Sequence, residues 1–210
     1  MLRKIDLENW NRAEHFRFFS DFEEPFYGIV ADVECTRAYQ LAKELNISFF
    51  ALTLYKALMA ANQIEEFRYR VVGEEQQVVV FDKIHASPTI GREDHTFGFA
   101  FVEYCDNIET FISQLNKESV KVRNSGGICL TDFTMRQDVI HFSSIPWISF
   151  TGLSHARSFR FKDSIPKISF GKIKKQKGIL QLPVSVHVHH GLVDGFHVAQ
   201  FLERFQQFID

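Results

Sequence analysis

Three histidines, His187, His189 and His190, fall close together near the C-terminus, and Asp194 follows on a Gly-bearing turn. These residue types allow three readings. One histidine could serve as a general base, because an unperturbed pKa of about 6.5 is matched to proton transfer near neutral pH. His187 and His189, at i and i+2 on one strand face, could bind zinc and support a metal hydrolase, although no Cys, Asp or Glu stands at a spacing that completes a ligand set. The cluster could instead be a polar strand end. Asp194 before Gly195 suits a turn and a helix cap, which leaves the histidine four residues earlier unexplained.

The elements around the cluster would hold it in one geometry. Leu180, Leu182, Val184, Val186 and Val188 alternate with other residues, the pattern of a half-buried strand. In that register Ser185, His187 and His189 share the opposite face, and His190 lies on the apolar side where the strand ends. Beyond Gly195 the pattern changes to Val198, Phe201, Leu202, Phe205, Phe208 and Ile209, a single helical stripe. A titratable group pinned between a packed strand and a packed helix has the fixed position that a catalytic base needs.

The bulk composition narrows the classes. A chain of 210 residues, 45% hydrophobic and 24% charged, can bury a sizeable core, and the expectation is one domain over residues 1–210. A formal net charge of −2 makes no electrostatic case for nucleic acid or an anionic membrane. No apolar run reaches the roughly 18 residues of a membrane span, and the first residues lack the apolar core of a signal peptide. Cys35, Cys105 and Cys129 are odd in number and widely spaced, which argues for reduced thiols and a cytoplasmic protein. Phenylalanine is heavily used, 23 residues against 5 Tyr and 2 Trp. That excess fits core packing or an apolar pocket.

Taken in order, Leu2 to Trp10 reads as a short strand or extended lead, followed by a helix from about Asn11 to Ser20. Tyr27, Ile29 and Val33 mark a strand. Thr36 can cap a helix to about Leu45, with Ala38, Leu41, Ala42 and Leu45 on its inner face. Ser48 caps the most apolar helix, Phe49 to Ile64. Phe67 to Val72 and Gln77 to Phe81 form a hairpin around Gly73. His85 to Val102 reads as broken strands and loop, and Asn107 opens a helix to about Arg123. Val139–Phe142, Trp147–Phe150 and Lys167–Lys172 are strand candidates, the last pairing with the histidine-bearing strand through the basic turn Lys174–Gly178. That turn suits a solvated hairpin tip or a phosphate-binding surface. Strands and helices mix without regular βαβ alternation, so the expected α+β fold is a two-layer sandwich, a mixed sheet with helices mainly on one face.

The segment His189-His190-Gly191-Leu192-Val193-Asp194-Gly195-Phe196-His197 closely resembles the HHxxxDGFH signature of the chloramphenicol acetyltransferase family and fits the looser HxxxD pattern of CoA-dependent acyltransferases. Trp10-Asn11-Arg12-Ala13-Glu14-His15-Phe16 is similar to that family's WxRxEHF. Ser143-Ser144-Ile145-Pro146-Trp147-Ile148-Ser149-Phe150 resembles its SAxPWVxF segment. Phe49 to Arg68 and Val80-Phe81-Asp82 follow the family's order and spacing, so the resemblance spans nearly the whole chain.

The resemblance implies acetyl transfer from acetyl-CoA, with no metal, to a hydroxyl of chloramphenicol or of another small acceptor. It implies His190 as the general base, acting through Nε2 with Nδ1–H bonded to its own carbonyl. It implies Ser143 as the donor to the oxyanion, and an ion pair of Asp194 with Arg12 that supports the histidine turn. Phe19, Phe97 and Ser169 fall at positions near the acceptor. The family fold agrees with the two-layer sandwich, and a homotrimer with active sites between neighbouring subunits is implied as well. A trimeric binding protein without catalysis would share that fold. The chain departs from the pattern at Gly191-Leu192-Val193, where Ala-Val-Cys is common, at Phe19, where tyrosine is common, and at Thr151-Gly152-Leu153.

Overall fold

The computed structural model describes residues 1–158 and 162–210. Among the described residues ten strands and five α-helices follow one another: β1 (Leu2–Lys4), α1 (Ala13–Ser20), β2 (Phe26–Glu34), α2 (Thr36–Glu44), α3 (Phe49–Asn62), β3 (Tyr69–Val72), β4 (Gln77–Phe81), β5 (His85–Gly91), β6 (Phe97–Phe99), α4 (Ile108–Arg123), β7 (Val139–Ser144), β8 (Lys167–Phe170), β9 (Lys174–Gln176), β10 (Ile179–His189) and α5 (Gly195–Ile209). The large sheet runs β2-β10-β8-β7-β5-β6, with β9 pairing β10, and a small sheet runs β1-β4-β3. The large sheet is mixed: β5–β7 and β7–β8 are parallel, whereas β8–β10 and β10–β2 are antiparallel. This is the expected α/β arrangement.

Helices α2 to α5 pack on one face of the large sheet. There Ile140, Phe142, Ile168, Phe170, Val184, Val186 and Val188 meet Leu54, Leu58, Val198, Phe201 and Phe205 in a continuous apolar core. Helix α3 is buried nearly all round, so packing rather than amphipathic patterning holds it. Its N-terminus is capped as expected, by Ser48 Oγ accepting from Ala51 N–H. Asn107 does the same for α4 by accepting from Thr110 N–H.

Several local expectations change. The histidine strand is buried on both faces, not half-buried, because Ser185 and His189 are enclosed along with the valines. Thr36 begins α2 without capping it; its hydroxyl accepts from Leu180 N–H and ties the helix to β10. Leu41 and Leu45 are exposed, and only Ala38 and Ala42 of that helix are buried. Trp147–Phe150 forms no strand. Ile145 N–H donates to Phe170 C=O and Lys172 N–H to Ile148 C=O, so the segment lies along the end of β8 as a loop. Pro146 lacks the N–H that a further ladder would need.

A single buried cation ties the small sheet to the strand that carries Ser143. Arg70 on β3 is fully buried and donates to the carbonyls of Phe67, Tyr69, Gln137 and Val139. Burial pushes its pKa down to about 9, so it remains charged near neutral pH. Removing it would leave four carbonyls, three of them in buried bonds, without that donor. Arg70→Leu should lower unfolding stability by about 3–5 kcal/mol, measured by urea denaturation. A change below about 1 kcal/mol would show that the four bonds are replaced at little cost.

Candidate active site

His190 sits one residue beyond β10, where the chain turns toward α5. Backbone bonds fix it on both sides. Its N–H donates to Pro25 C=O at 2.9 Å, and its carbonyl accepts from Arg12 Nη2 at 3.3 Å. The imidazole stacks on Phe19 with ring centres 4.0 Å apart and planes 5° from parallel, and Tyr27 closes the far side at 4.5 Å. Nδ1 is buried without a hydrogen-bond partner, so the expected bond from Nδ1–H to its own carbonyl is not made. That carbonyl is taken by Arg12 instead. Nε2 is the ring nitrogen left accessible to a ligand.

The turn around His190 is held by an ion pair. Arg12 Nη1 donates to Asp194 Oδ2 at 2.6 Å across 182 positions of sequence. Asp194 also caps α5: Oδ1 accepts from Phe196 N–H at 3.2 Å, and His197 Nδ1 accepts from Asp194 N–H at 3.1 Å, a reciprocal capping box. Burial raises the Asp194 pKa, but the Arg12 bond, the charges of His197 and Arg12, and the Phe196 N–H outweigh it and hold the carboxyl below its ordinary range. Between the two anchors, Gly191 is where backbone and rings crowd. A Cβ there would come within 3.1 Å of His189 Cε1 and Phe16 Cα. Leu192 and Val193 point into the core. These three residues therefore fit the turn that this chain builds.

Ser143 stands elsewhere, on the face of the sheet opposite helices α2 to α5. The parallel and antiparallel registers place Ser143, Ser169 and Ser185 side by side across β7, β8 and β10. The next row on the same face is His141, Lys167 and His187, ending on Gly28 of β2. A Cβ on Gly28 would lie 2.3 Å from His187 Nε2, so the absent side chain makes room for that imidazole. A cavity of about 660 Å³ opens over this face, lined in part by Phe97, Phe99, His141, Ser143, Trp147 and His155. Ser169 is fully buried and its hydroxyl has no partner among the described residues.

Phe19 and Phe97 thus belong to different regions, one beside His190 and the other beside Ser143. Ser143 aligns with Ser185, two strand spacings away, while His190 lies five residues further along β10. At about 4.8 Å per strand and 3.3 Å per residue, the two are separated by roughly 19 Å. Proton transfer and oxyanion stabilisation act at about 3 Å. His190 and Ser143 are therefore not brought together within one copy of the chain.

His187 and His189 are engaged within the chain. His187 pairs with Ser185 Oγ through Nδ1 and with Leu153 C=O through Nε2; His189 Nδ1 accepts from Gly191 N–H. Burial, then the charge of Arg157, pushes His189 down to about 4. Among the described residues no group of three His, Cys, Asp or Glu is arranged to hold a metal. Sequence reasoning passed over Tyr27, His141 and His155. The i, i+2 relation of His141 to Ser143 was a usable signal once Val139–Phe142 read as a strand. Nothing local marks His155, which lies on irregular chain.

The chain thus combines a mixed sheet, a histidine turn clamped by an Arg–Asp pair and a serine on the polar sheet face, and its relatives place it among the acyltransferase enzymes. The sequence profile described as chloramphenicol acetyltransferase matches residues 1–206, and the chain belongs to that family. Chloramphenicol acetyltransferase 2 of Haemophilus influenzae is 26% identical over 208 residues, covering 99% of this chain and 96% of that protein. Chloramphenicol acetyltransferase of Bacillus pumilus is 28% identical over 211 residues, covering 100% and 94%. A solved chloramphenicol acetyltransferase superimposes with a TM-score of 0.92 at 31% identity over the full length of both chains.

The ion pair can be separated from the cap. Asn caps helices as well as Asp does, so Asp194→Asn should remove the charge while keeping the cap, at about 1.5–3 kcal/mol near neutral pH. Asp194→Ala should cost about 1 kcal/mol more. A carboxyl with a depressed folded pKa contributes stability above its unfolded value, near 3.9, and loses that contribution as pH falls through the folded value. The gap between wild type and Asp194→Asn should therefore close below about pH 4, as read by urea titrations. A gap independent of pH would contradict the role of the charge.

Proposed function

We propose that the protein transfers the acetyl group of acetyl-CoA to a hydroxyl of chloramphenicol, at sites formed between neighbouring subunits of a homotrimer. The observation that carries this reading is His190 itself: a histidine clamped on three sides, with Nε2 accessible, in a family whose relatives are named for this reaction. The 19 Å division between half-sites supports a shared site, because His190 of one copy needs Ser143 of another. We read 1–210 as one domain acting in the cytoplasm, where its three free cysteines remain reduced.

The steps balance without a metal. Nε2 of His190 takes the proton from the acceptor hydroxyl as that oxygen attacks the thioester carbonyl. Ser143 Oγ–H donates to the oxygen that becomes negative in the tetrahedral intermediate. Collapse restores the carbonyl and expels the CoA thiolate, which takes the proton from His190. Clamping by Phe19, Tyr27 and Pro25 keeps the imidazole in its reactive position between turnovers. Asp194 and Arg12 act only on position, since neither lies where it meets the reacting atoms.

Chloramphenicol-dependent release of CoA thiol from acetyl-CoA tests the reading. His190→Ala should lower kcat by about 10²–10⁴, and Ser143→Ala by about 10²–10³, with both variants folded. No thiol release at micromolar enzyme would overturn the acceptor assignment. Full activity of His190→Ala would overturn the base.

A further inference from the structure

We infer that His141 and His155 present two ring N–H donors to the cavity beside Ser143, so that the site selects hydroxyl compounds carrying a second, hydrogen-bond-accepting oxygen group such as an amide, nitro or carboxylate oxygen. The inference rests on the reading of that cavity as the acceptor site. It starts from two buried nitrogens, His141 Nδ1 and His155 Nε2, that have no partner among the described residues. Both residues line the cavity together with Ser143.

A neutral imidazole has one N–H donor and one acceptor nitrogen. Burial, then Lys167, pushes His141 down to about 4. Burial, then His187 and Lys167, does the same for His155. Both are therefore neutral at physiological pH. An orphaned buried N–H is rarer and costlier than an under-satisfied acceptor. That assigns the proton of His141 to Nε2 and that of His155 to Nδ1, the ring nitrogens other than the two enclosed ones. These are the donors left for a ligand.

The other cationic side chains on the cavity wall are already committed. Arg92 donates to Val122 C=O, Gly127 C=O, Thr96 Oγ1 and Cys129 Sγ. Lys167 is held by Asp163 and by Ile165 C=O. The apolar part of the wall, Phe97, Phe99, Ile145 and Trp147, accounts for the bulk of a small acceptor but offers no polar selection. His155 and His187 meet edge to face at 4.7 Å, and His187 is anchored at both nitrogens. The donor of His155 is therefore held in place rather than swinging in solvent.

Steady-state kinetics with chloramphenicol and acetyl-CoA test this, with calorimetric binding of chloramphenicol alone as a second readout. His155→Leu keeps the bulk and removes the donor. It should raise KM and Kd for chloramphenicol at least about tenfold while KM for acetyl-CoA stays at the wild-type value. His155→Gln restores a donor and should recover most of the loss; His141→Asn, which also keeps one, should lose less than His141→Leu. Unchanged or tighter chloramphenicol binding in His155→Leu would overturn the donor wall. So would a loss falling on acetyl-CoA, since it would assign these histidines to the cosubstrate. Wild-type enzyme that neither binds nor acetylates chloramphenicol, while acetylating another hydroxyl compound lacking an accepting oxygen, would overturn both this inference and the acceptor assignment. Normal wild-type turnover with indifferent variants would overturn the inference alone.

Discussion

Everything in the site depends on how a turn between a strand and a helix is kept from moving. The Arg12–Asp194 pair does this by joining the entrance of α1 to the N-cap of α5. One guanidinium reaches both the carboxylate of Asp194 and the carbonyl of His190. Loss of either partner leaves a poorly solvated charge, which costs more than the pair itself contributes. The reciprocal cap between Asp194 and His197 adds a second hold on the same carboxylate. Held in this way, His190 would lose little entropy on reaching a transition state in the proposed role of base.

The sheet divides the labour between its faces. One face is filled by valine, isoleucine and phenylalanine against four helices. The other carries serines, histidines and a lysine in cross-strand rows. Such rows follow from the period of two along each strand, which sends alternate residues to opposite faces. Burying polar rows is costly unless they are hydrogen-bonded, and among the described residues Ser169 and His141 in these rows, like His155 beside them, still have unpaired atoms. Arg70 secures the approach to β7 from the other side, so the strand bearing Ser143 is fixed as firmly as the turn bearing His190.

Much of this was legible in the residues. The alternation from Leu180 to Val188 and the helical stripe after Gly195 identified the strand and helix flanking His190, and the serine and asparagine caps of α3 and α4 stood where their side chains suggested. What could not be read depended on distant chain. The burial of Ser185 and His189 arises from covering by other segments, and the exposure of Leu41 and Leu45 reflects the direction in which α2 leaves the sheet. Trp147–Phe150 has strand-forming residues, yet a proline and the bonds to Phe170 and Lys172 shape it as a loop. The significance of His141 and His155 emerged only when register and irregular chain brought them to one cavity.

We propose that each chain holds two half-sites that work only when copies meet. Mixing two inactive variants tests it most directly. His190→Ala and Ser143→Ala, unfolded together at equal amounts and refolded, should assemble at random into trimers, so that about a quarter of all sites pair an intact His190 with an intact Ser143. Recovery of activity to roughly that fraction of wild type, absent from either variant refolded alone, is the result expected. Properly assembled mixed trimers with no recovered activity would contradict a site shared between subunits.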